Sequence, residues 1–477
     1  MRSLTLFILL LTTSSIFSQS FVTRDIKSFG AKGDGKTNDQ AAFEKAAAFF
    51  NKRGCNGRLV IPRGTYIVGR QEYTQGKAGL PAYFGHDVLR LVDVKNMTIE
   101  GKKGAKLRYK DSLRFGAFNP ETGLPHPNKK YFVKYSWAAL IGHCIFMENV
   151  TNVTVKNIEL DGNNKGVILG GVYGDVGRQL PHYGIFIKNS KSITIESVNT
   201  HHFALDGISV ANKANTTEDD IKLLNSAFEY NARQGLSWIG GNDLKVKGCK
   251  FNHTGKGAFG SPPGAGVDIE AEVGPIRGGK FEDCEFINNT GVGMVADNGD
   301  SRDCVFKECT FWGVSAWSIW VNRPGFSFKD CQIYGSIVHG YRAEKDEDAT
   351  RYKDCYFEDK SYNGKPAFGK FLVESNNRKR MSFTGCTFVS NTKKLMWIQT
   401  SASLEPEEKY QFNDCKFIIN NSNLPKRDYI AVVRGMRYKN CTFQFTNKIA
   451  KENRYYLNDC CEKFNVDEGG NKVLYAE

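Results

Sequence analysis

Apolar and polar residues alternate in short runs along most of this chain, and the runs recur at a nearly even spacing. Val94-Lys-Asn-Met97-Thr-Ile99, Val150-Thr-Asn-Val153-Thr-Val155 and Ser192-Ile193-Thr-Ile195 show the period of two that puts every second side chain on one face of a strand. From residue 249 the runs share a signature, Cys-x-Phe: Cys249-Lys-Phe251, Cys284-Glu-Phe286, Cys309-Thr-Phe311, Cys355-Tyr-Phe357, Cys386-Thr-Phe388, Cys415-Lys-Phe417 and Cys441-Thr-Phe443, with Cys331-Gln-Ile333 as a variant. Successive cysteines of the series lie 35, 25, 22, 24, 31, 29 and 26 residues apart. Two further matches, Cys144-Ile-Phe146 and Cys304-Val-Phe306, fall off this rhythm. Repetition at a period of about 20–50 residues predicts a solenoid. Cys and Phe two positions apart share a strand face, and both favour the interior. The predicted fold is all-β, a parallel β-helix in which each coil sets its Cys and Phe above those of the coil before.

One helical pattern interrupts the strands. Asn38 or Asp39 can cap a helix whose apolar positions Ala42, Phe43, Ala46, Ala47 and Phe50 follow helical spacing, ending near Gly54. Laid across the open end of the solenoid, this short segment (38–53) would cover the first coil. Residues 70–92, 107–142 and 164–183 lack the coil pattern and are expected as walls beside the solenoid. The predicted organisation is one β-helix domain over 21–450, with 451–477 as a C-terminal tail or cap.

Residues 1–20 carry a basic Arg2, an apolar run from Leu4 to Leu11 and small residues near Ser18 and Ser20. This is the pattern of a secretory signal peptide, too short to span a membrane, so a soluble secreted or periplasmic protein is expected. Thirteen cysteines would ordinarily suggest disulfides, but their even spacing favours stacked buried thiols; Cys460-Cys461 lie outside the pattern. The formal net charge of +14 attracts polyanions. Nucleic acid and anionic polysaccharide are both candidates, and the scatter of Lys and Arg also suits a merely soluble surface; the expected partner is an acidic polysaccharide or oligosaccharide, with no nucleic-acid or membrane partner and a monomeric chain.

The segment after the signal is specific for a fold. Phe29-Gly30-Ala31-Lys32-Gly33-Asp34-Gly35, Thr37, Asp39, Ala42-Phe43, Ala46 and Pro62-Arg63-Gly64-Thr65-Tyr66 resemble the amino-terminal signature of the pectin-lyase-like superfamily. The resemblance implies a right-handed parallel β-helix. It does not imply one reaction, since the superfamily includes polysaccharide lyases, glycoside hydrolases and epimerases. The motifs usual in its polygalacturonases (an Asn-Thr-Asp strand, an Asp-Asp pair, a Gly-His-Gly turn and an Arg-Ile-Lys segment) are not intact here; Leu205-Asp206-Gly207 is a fragment of the first.

Candidate chemistry comes from aligning the strands that open the middle coils: Gly184-Ile-Phe-Ile, Gly207-Ile-Ser-Val, Gly235-Leu-Ser-Trp, Gly266-Val-Asp-Ile-Glu, Gly293-Met-Val-Ala, Ser318-Ile-Trp-Val and Gly340-Tyr-Arg-Ala-Glu. Their outward row is predicted to be Phe186, Ser209, Ser237, Asp268, Val295, Trp320 and Arg342. On Val267-Asp268-Ile269-Glu270-Ala271-Glu272, alternation puts three carboxylates on one outer face, which is costly without a metal, a shared proton or a cationic partner. His201, His202 and Asp206 precede one coil, Asp297 and Asp300 follow another, and Arg323 lies beyond.

Two reactions suit such a groove. Hydrolysis needs a protonated acid at the leaving oxygen and an ionised carboxylate, and Asp206, Asp268, Glu270 and Asp297 can supply them. Elimination from a uronic acid needs a neutralised substrate carboxylate, a base and an acid. For it, Asp268, Glu270 and Glu272 could hold Ca²⁺, Arg323 or Arg342 could pair the substrate, and His201 or His202 could act as base. Trp320, Arg323 and Asp297 are the expected substrate contacts. The basic charge tips the expectation to elimination of an acidic, possibly sulfated glycan by a lyase or dehydratase. Glycoside hydrolysis is the close alternative, and a non-catalytic glycan-binding or adhesin β-helix is the third reading.

Overall fold

The computed structural model describes residues 20–75, 81–127, 135–172, 177–213, 219–376, 378–399, 404–420, 432–448 and 465–476. The expected signal peptide, except Ser20, and the Cys460-Cys461 pair lie outside the described residues. Most coils contribute a strand in turn to each of three parallel sheets. Among the described residues one sheet has fifteen strands and one has twelve. The third is a six-stranded piece continued by an eight-stranded one through bridges of Lys250 to Ala227 and Glu285. One coil runs from Glu285–Ile287 through Met294–Arg302 to Val305–Lys307, and the next begins at Thr310–Trp312.

The repeats become ladders of like side chains inside. On the third sheet the register stacks Phe286, Phe311, Ile333, Phe357, Phe388, Phe417 and Phe443. On the fifteen-stranded sheet it stacks Phe281, Phe306, Phe328, Tyr352, Phe383, Phe412 and Tyr438. The rings lie nearly flat on one another, as for Phe286 and Phe311 at 4.5 Å and 5°. The off-rhythm Cys304-Val-Phe306 belongs to this second ladder. Phe146 of the other stray match points out of the solenoid, while Ile145 fills the core.

The cysteines of the series sit at the corner entering the third sheet, buried and unpaired, each thiol donating to a nearby carbonyl, as Cys309 does to Lys307 O at 3.3 Å. The residue before each cysteine turns the corner in the left-handed conformation: Asp283, Glu308, Asp330, Asp354, Asp414 and Asn440 have φ between 52° and 56°, with Gly248 and Gly385 completing the set. Asp, Asn and Gly tolerate that conformation best, which explains the short polar residue or glycine ahead of most Cys-x-Phe repeats.

The helix forms at Gln40–Arg53 and ends on Gly54. Its buried residues Ala42, Phe43, Ala46, Ala47 and Phe50 join the solenoid core. Asp39 precedes it but spends its carboxylate on the Lys32 and Gly33 amides, at 2.7 and 3.0 Å. Much of the expected wall is a separate five-stranded sheet built from Gln71–Gln75, Pro81–Gly85, Arg114–Ala117, Ala138–Ala139 and Ile168–Leu169. Two pieces of it prove to be coil strands, Leu89–Val92 and Ala105–Tyr109, whose alternation is too short to stand out. Stacking also continues past residue 450, since Val466–Asp467 and Lys472–Leu474 pair in parallel with the strands before them. Among the described residues no helix is long and apolar enough to cross a membrane.

Candidate active site

The outer face of the twelve-stranded sheet carries the densest chemistry. In the strand Ala265–Arg277, Val267 and Ile269 are fully buried in the core, so Asp268 between them points outward. Register then stacks Phe186, Ser209, Ser237, Asp268, Val295 and Trp320 in one row. Ahead of that row the coils open on Gly184, Gly207, Gly235, Gly266 and Gly293, with Ser318 before Trp320 as the exception. A Cβ on Gly184 would come within 2.4 Å of Gly207 O, and one on Gly235 within 2.7 Å of Gly266 O. No side chain fits at those two glycines, and the residues just before the first three, Tyr183, Asp206 and Gln234, flank the outer face, with Gln234 against Asp268.

Asp268 faces out of the solenoid yet is only 3% exposed. Gln234 Nε2 donates to its Oδ2, and Oδ1 has no partner. Burial pushes its carboxyl well above the usual range; the charges of Glu270, Asp297 and Asp206 add to this and Arg233 opposes it. Glu270 is also raised, by burial and then by Glu272 and Asp297. Asp206 is wholly buried and held in a two-pronged pair by Arg233, Nε to Oδ1 at 2.8 Å and Nη2 to Oδ2 at 2.5 Å. Burial disfavours the Arg233 charge, but Asp206 outweighs it and the guanidinium stays protonated. Burial pushes the Tyr183 phenol up to about 12, with Arg233 pulling the other way. Arg233→Met should therefore cost about 3–5 kcal/mol in chemical denaturation, because it strands a buried carboxylate; a loss within the 0–1 kcal/mol of a solvated pair would contradict the burial argument.

Aromatic groups stand at both ends of this acidic stretch. On one side Phe146 and Phe186 stack at 5.6 Å and His143 lies on Tyr183 at 5.1 Å. On the other, Trp320 meets Trp317 and His339, each at 5.3 Å. Trp320 is two coils from Asp268, roughly 10 Å at ~4.8 Å per strand.

Several expected residues lie elsewhere. Arg342 is not in the outer row. The strand beside Ile319–Val321 is Ile337–Val338, so Val338 follows Trp320, and the exposed Arg342 bridges Lys379 outside the sheet. Gly340 imitates a coil-opening glycine but stands two residues past that strand. The three-acid alternation also breaks after Ile269, where the register shifts and Glu270 pairs with Asn298 of a bulging neighbour. Glu272 is thereby carried out to solvent. Among the described residues, the only acids, histidines and cysteines with all ligand atoms within 4.8 Å of one another are Asp161, His201 and His202, so Asp268, Glu270 and Glu272 do not gather as a calcium cage.

His201 and His202 follow the third sheet rather than the acid row. His201 Nε2 lies 3.0 Å from Glu159 Oε1, and the two Nδ1 atoms are 2.7 Å apart. Asp297 is half-buried beside Glu270. Arg323 stands one coil further on, where Asn322 N donates to Ala296 O at 2.7 Å, and it turns Nη1 back to the Asn322 carbonyl. Asp300 is taken up by Arg277 at 2.7 Å. Sequence reasoning missed Arg233, Gln234 and Tyr183. Arg233-Gln234-Gly235 occupies the coil position of Leu205-Asp206-Gly207, and reading the row ahead of the glycines would have found it.

A family profile described as "Right handed beta helix region" matches residues 143–326, and one described as "Rhamnogalacturonase A/epimerase, pectate lyase-like" matches residues 23–80. No curated protein matches the chain in sequence. Among solved structures it is similar to the mannuronan C-5 epimerase AlgE6 A-module of Azotobacter vinelandii, at 13% identity over 88% of this chain and 98% of that one, TM-score 0.43. It is also similar to the N-terminal fragment of bacteriophage phi29 gene product 12, at 12% identity over 94% and 70%, TM-score 0.50. A third is the Agl-KA catalytic domain, at 15% identity over 95% and 68%, TM-score 0.39. The protein is a right-handed parallel β-helix. The two profile matches support the pectin-lyase-like superfamily that the amino-terminal signature implied.

Proposed function

We propose that this chain is an exported glycan-degrading enzyme that cleaves glycosidic bonds by acid–base chemistry at Asp268, and that hydrolysis is the reaction. The observation that carries this is a carboxyl on the outer face that is buried, has Oδ1 unpartnered and stands within a set of further acids, which together raise its pKa. Asp268 then donates its proton to the leaving oxygen, and Glu270 is the carboxylate that activates water or attacks. The Glu270 charge adds to the burial that raises the Asp268 pKa, whereas Glu270 itself is raised by burial, Glu272 and Asp297, so the role of acid falls to Asp268 and that of carboxylate to Glu270. Arg233, fixed by Asp206, keeps a positive charge next to both. Trp320 and Phe186 offer apolar faces to sugar rings on either side, and the net charge of +14 favours an anionic chain as substrate.

Elimination is the second reading, for which Tyr183 beside Arg233 offers a phenol as proton donor to the leaving oxygen. Incubation of the purified protein with pectic, alginate, ulvan and glycosaminoglycan chains separates the two. New reducing ends without ultraviolet absorbance are the expected result. Absorbance from a double bond conjugated to the carboxylate would establish elimination instead. Binding with neither product would leave a glycan-binding module and end the enzymatic reading.

A further inference from the structure

We propose that Asp161, His201 and His202 form a binding site for a divalent metal ion of the zinc class, which ties two successive coils together. Asp161 and His201 face each other in register on the neighbouring strands Glu159–Asp161 and Asn199–His201. His202 takes the corner with φ 57°, and its ring turns back so that its Nδ1 lies 2.7 Å from Nδ1 of His201. Asp161 Oδ1 is 3.8 Å from His201 Nδ1, and the three ligand atoms all lie within 4.8 Å of one another. Tetrahedral bonds of about 2.0–2.1 Å place ligand atoms roughly 3.3 Å apart, so these side chains close on an ion with shifts of an ångström or so.

The surroundings are those of a metal centre. Glu159 Oε1 takes His201 Nε2 at 3.0 Å, which aims the lone pair of Nδ1 into the site; this is the outer carboxylate that metal-bound histidines commonly have. The His202 ring lies flat on Tyr230 at 5.4 Å and 4°, fixing its orientation. Two imidazole nitrogens at 2.7 Å must share a proton; when the ion takes its place the His202 proton moves to Nε2, the tautomer that leaves Nδ1 free to bind. Lys106 Nζ, at 2.8 Å from Asp161 Oδ2 and 2.9 Å from Glu159 Oε1, balances the carboxylates without the ion and competes with it, while leaving Oδ1 on the histidine side. The site is on a different sheet from Asp268 and stands whether or not the glycan reading does.

The test is titration of Zn²⁺ into the chelator-stripped full chain by calorimetry, with thermal unfolding in parallel. One ion bound per chain and a Tm rise of a few degrees are expected. His202→Gln and Asp161→Asn should each weaken binding by about tenfold or more and remove the Tm rise. Lys106→Met should bind more tightly than the parent, a gain that misfolding cannot produce. No binding, binding unchanged in both weakened variants, or weaker binding in Lys106→Met would each overturn the site.

Discussion

Asp268→Asn should abolish turnover and, at neutral pH, make the protein harder to unfold. The first effect is the loss of a proton donor, typically 10²–10⁴-fold for general acid catalysis, so about that loss in kcat is expected. The second follows from the sign of the linkage. Burial and the surrounding Glu270, Asp297 and Asp206 hold the folded pKa of Asp268 well above the roughly 3.9 of an unfolded chain. Below the unfolded value both states carry the proton, and the native state is not penalised. As pH rises toward the folded value the unfolded chain ionises first, and native stability falls by about 1.4 kcal/mol for each unit separating the two. An asparagine keeps an acceptor for Gln234 and has no charge to strand. Denaturant midpoints from pH 4 to 8 should therefore fall for the parent and stay flatter for Asp268→Asn. A variant that is less stable at pH 7, or fully active, would refute the assignment of a buried proton to this residue.

Phe306→Ala should cost about 3–5 kcal/mol, the range for deleting a core aromatic that neighbours cannot replace. Phe306 is fully buried, flat against Phe281 at 4.5 Å and Phe328 at 5.1 Å, and edge-on to Phe286 and Phe311 at 6.0 and 5.8 Å. It joins the two ring ladders, so a hole there is lined by rings from three coils. Phe306→Leu should cost under about 1.5 kcal/mol, since it keeps most of the volume. Chemical denaturation of both variants checks this, and an alanine variant within 1 kcal/mol of the parent would mean that the ladder is loosely packed.

The ladders were legible because burial repeats with the coil: a thiol and a ring recurring at an even spacing can satisfy the same inner position each time. The helix was legible to the residue on its buried face, since Ala42, Phe43, Ala46, Ala47 and Phe50 follow a single period. What escaped was set by departures from the repeat. Gly340 imitates a coil opening, and only the pairing of Ile337–Val338 shows that the chain has already passed it, which removes Arg342 from the row. Alternation from Asp268 to Glu272 assumed a regular strand, whereas the chain bulges after Ile269. His201 and His202 were placed with the acids because they precede Asp206 in sequence, but a corner separates the two sheets. Arg233 gave no pattern of its own; its meaning lies in Asp206, one coil earlier.

That last relation reaches further. Asp206, Gln234 and Asp268 come from three consecutive turns of the winding, and the aromatic flanks come from turns on either side. Duplicating or deleting a whole turn outside those three would change how long a polymer the surface can hold without touching the reacting groups, because each turn contacts only its neighbours. Insertion between Asp206 and Asp268 would part the acids instead. On the proposed glycan reading, reach and reactivity are thus separately adjustable in this architecture, and spare turns grafted at residue 360 or beyond should let the surface hold a longer chain.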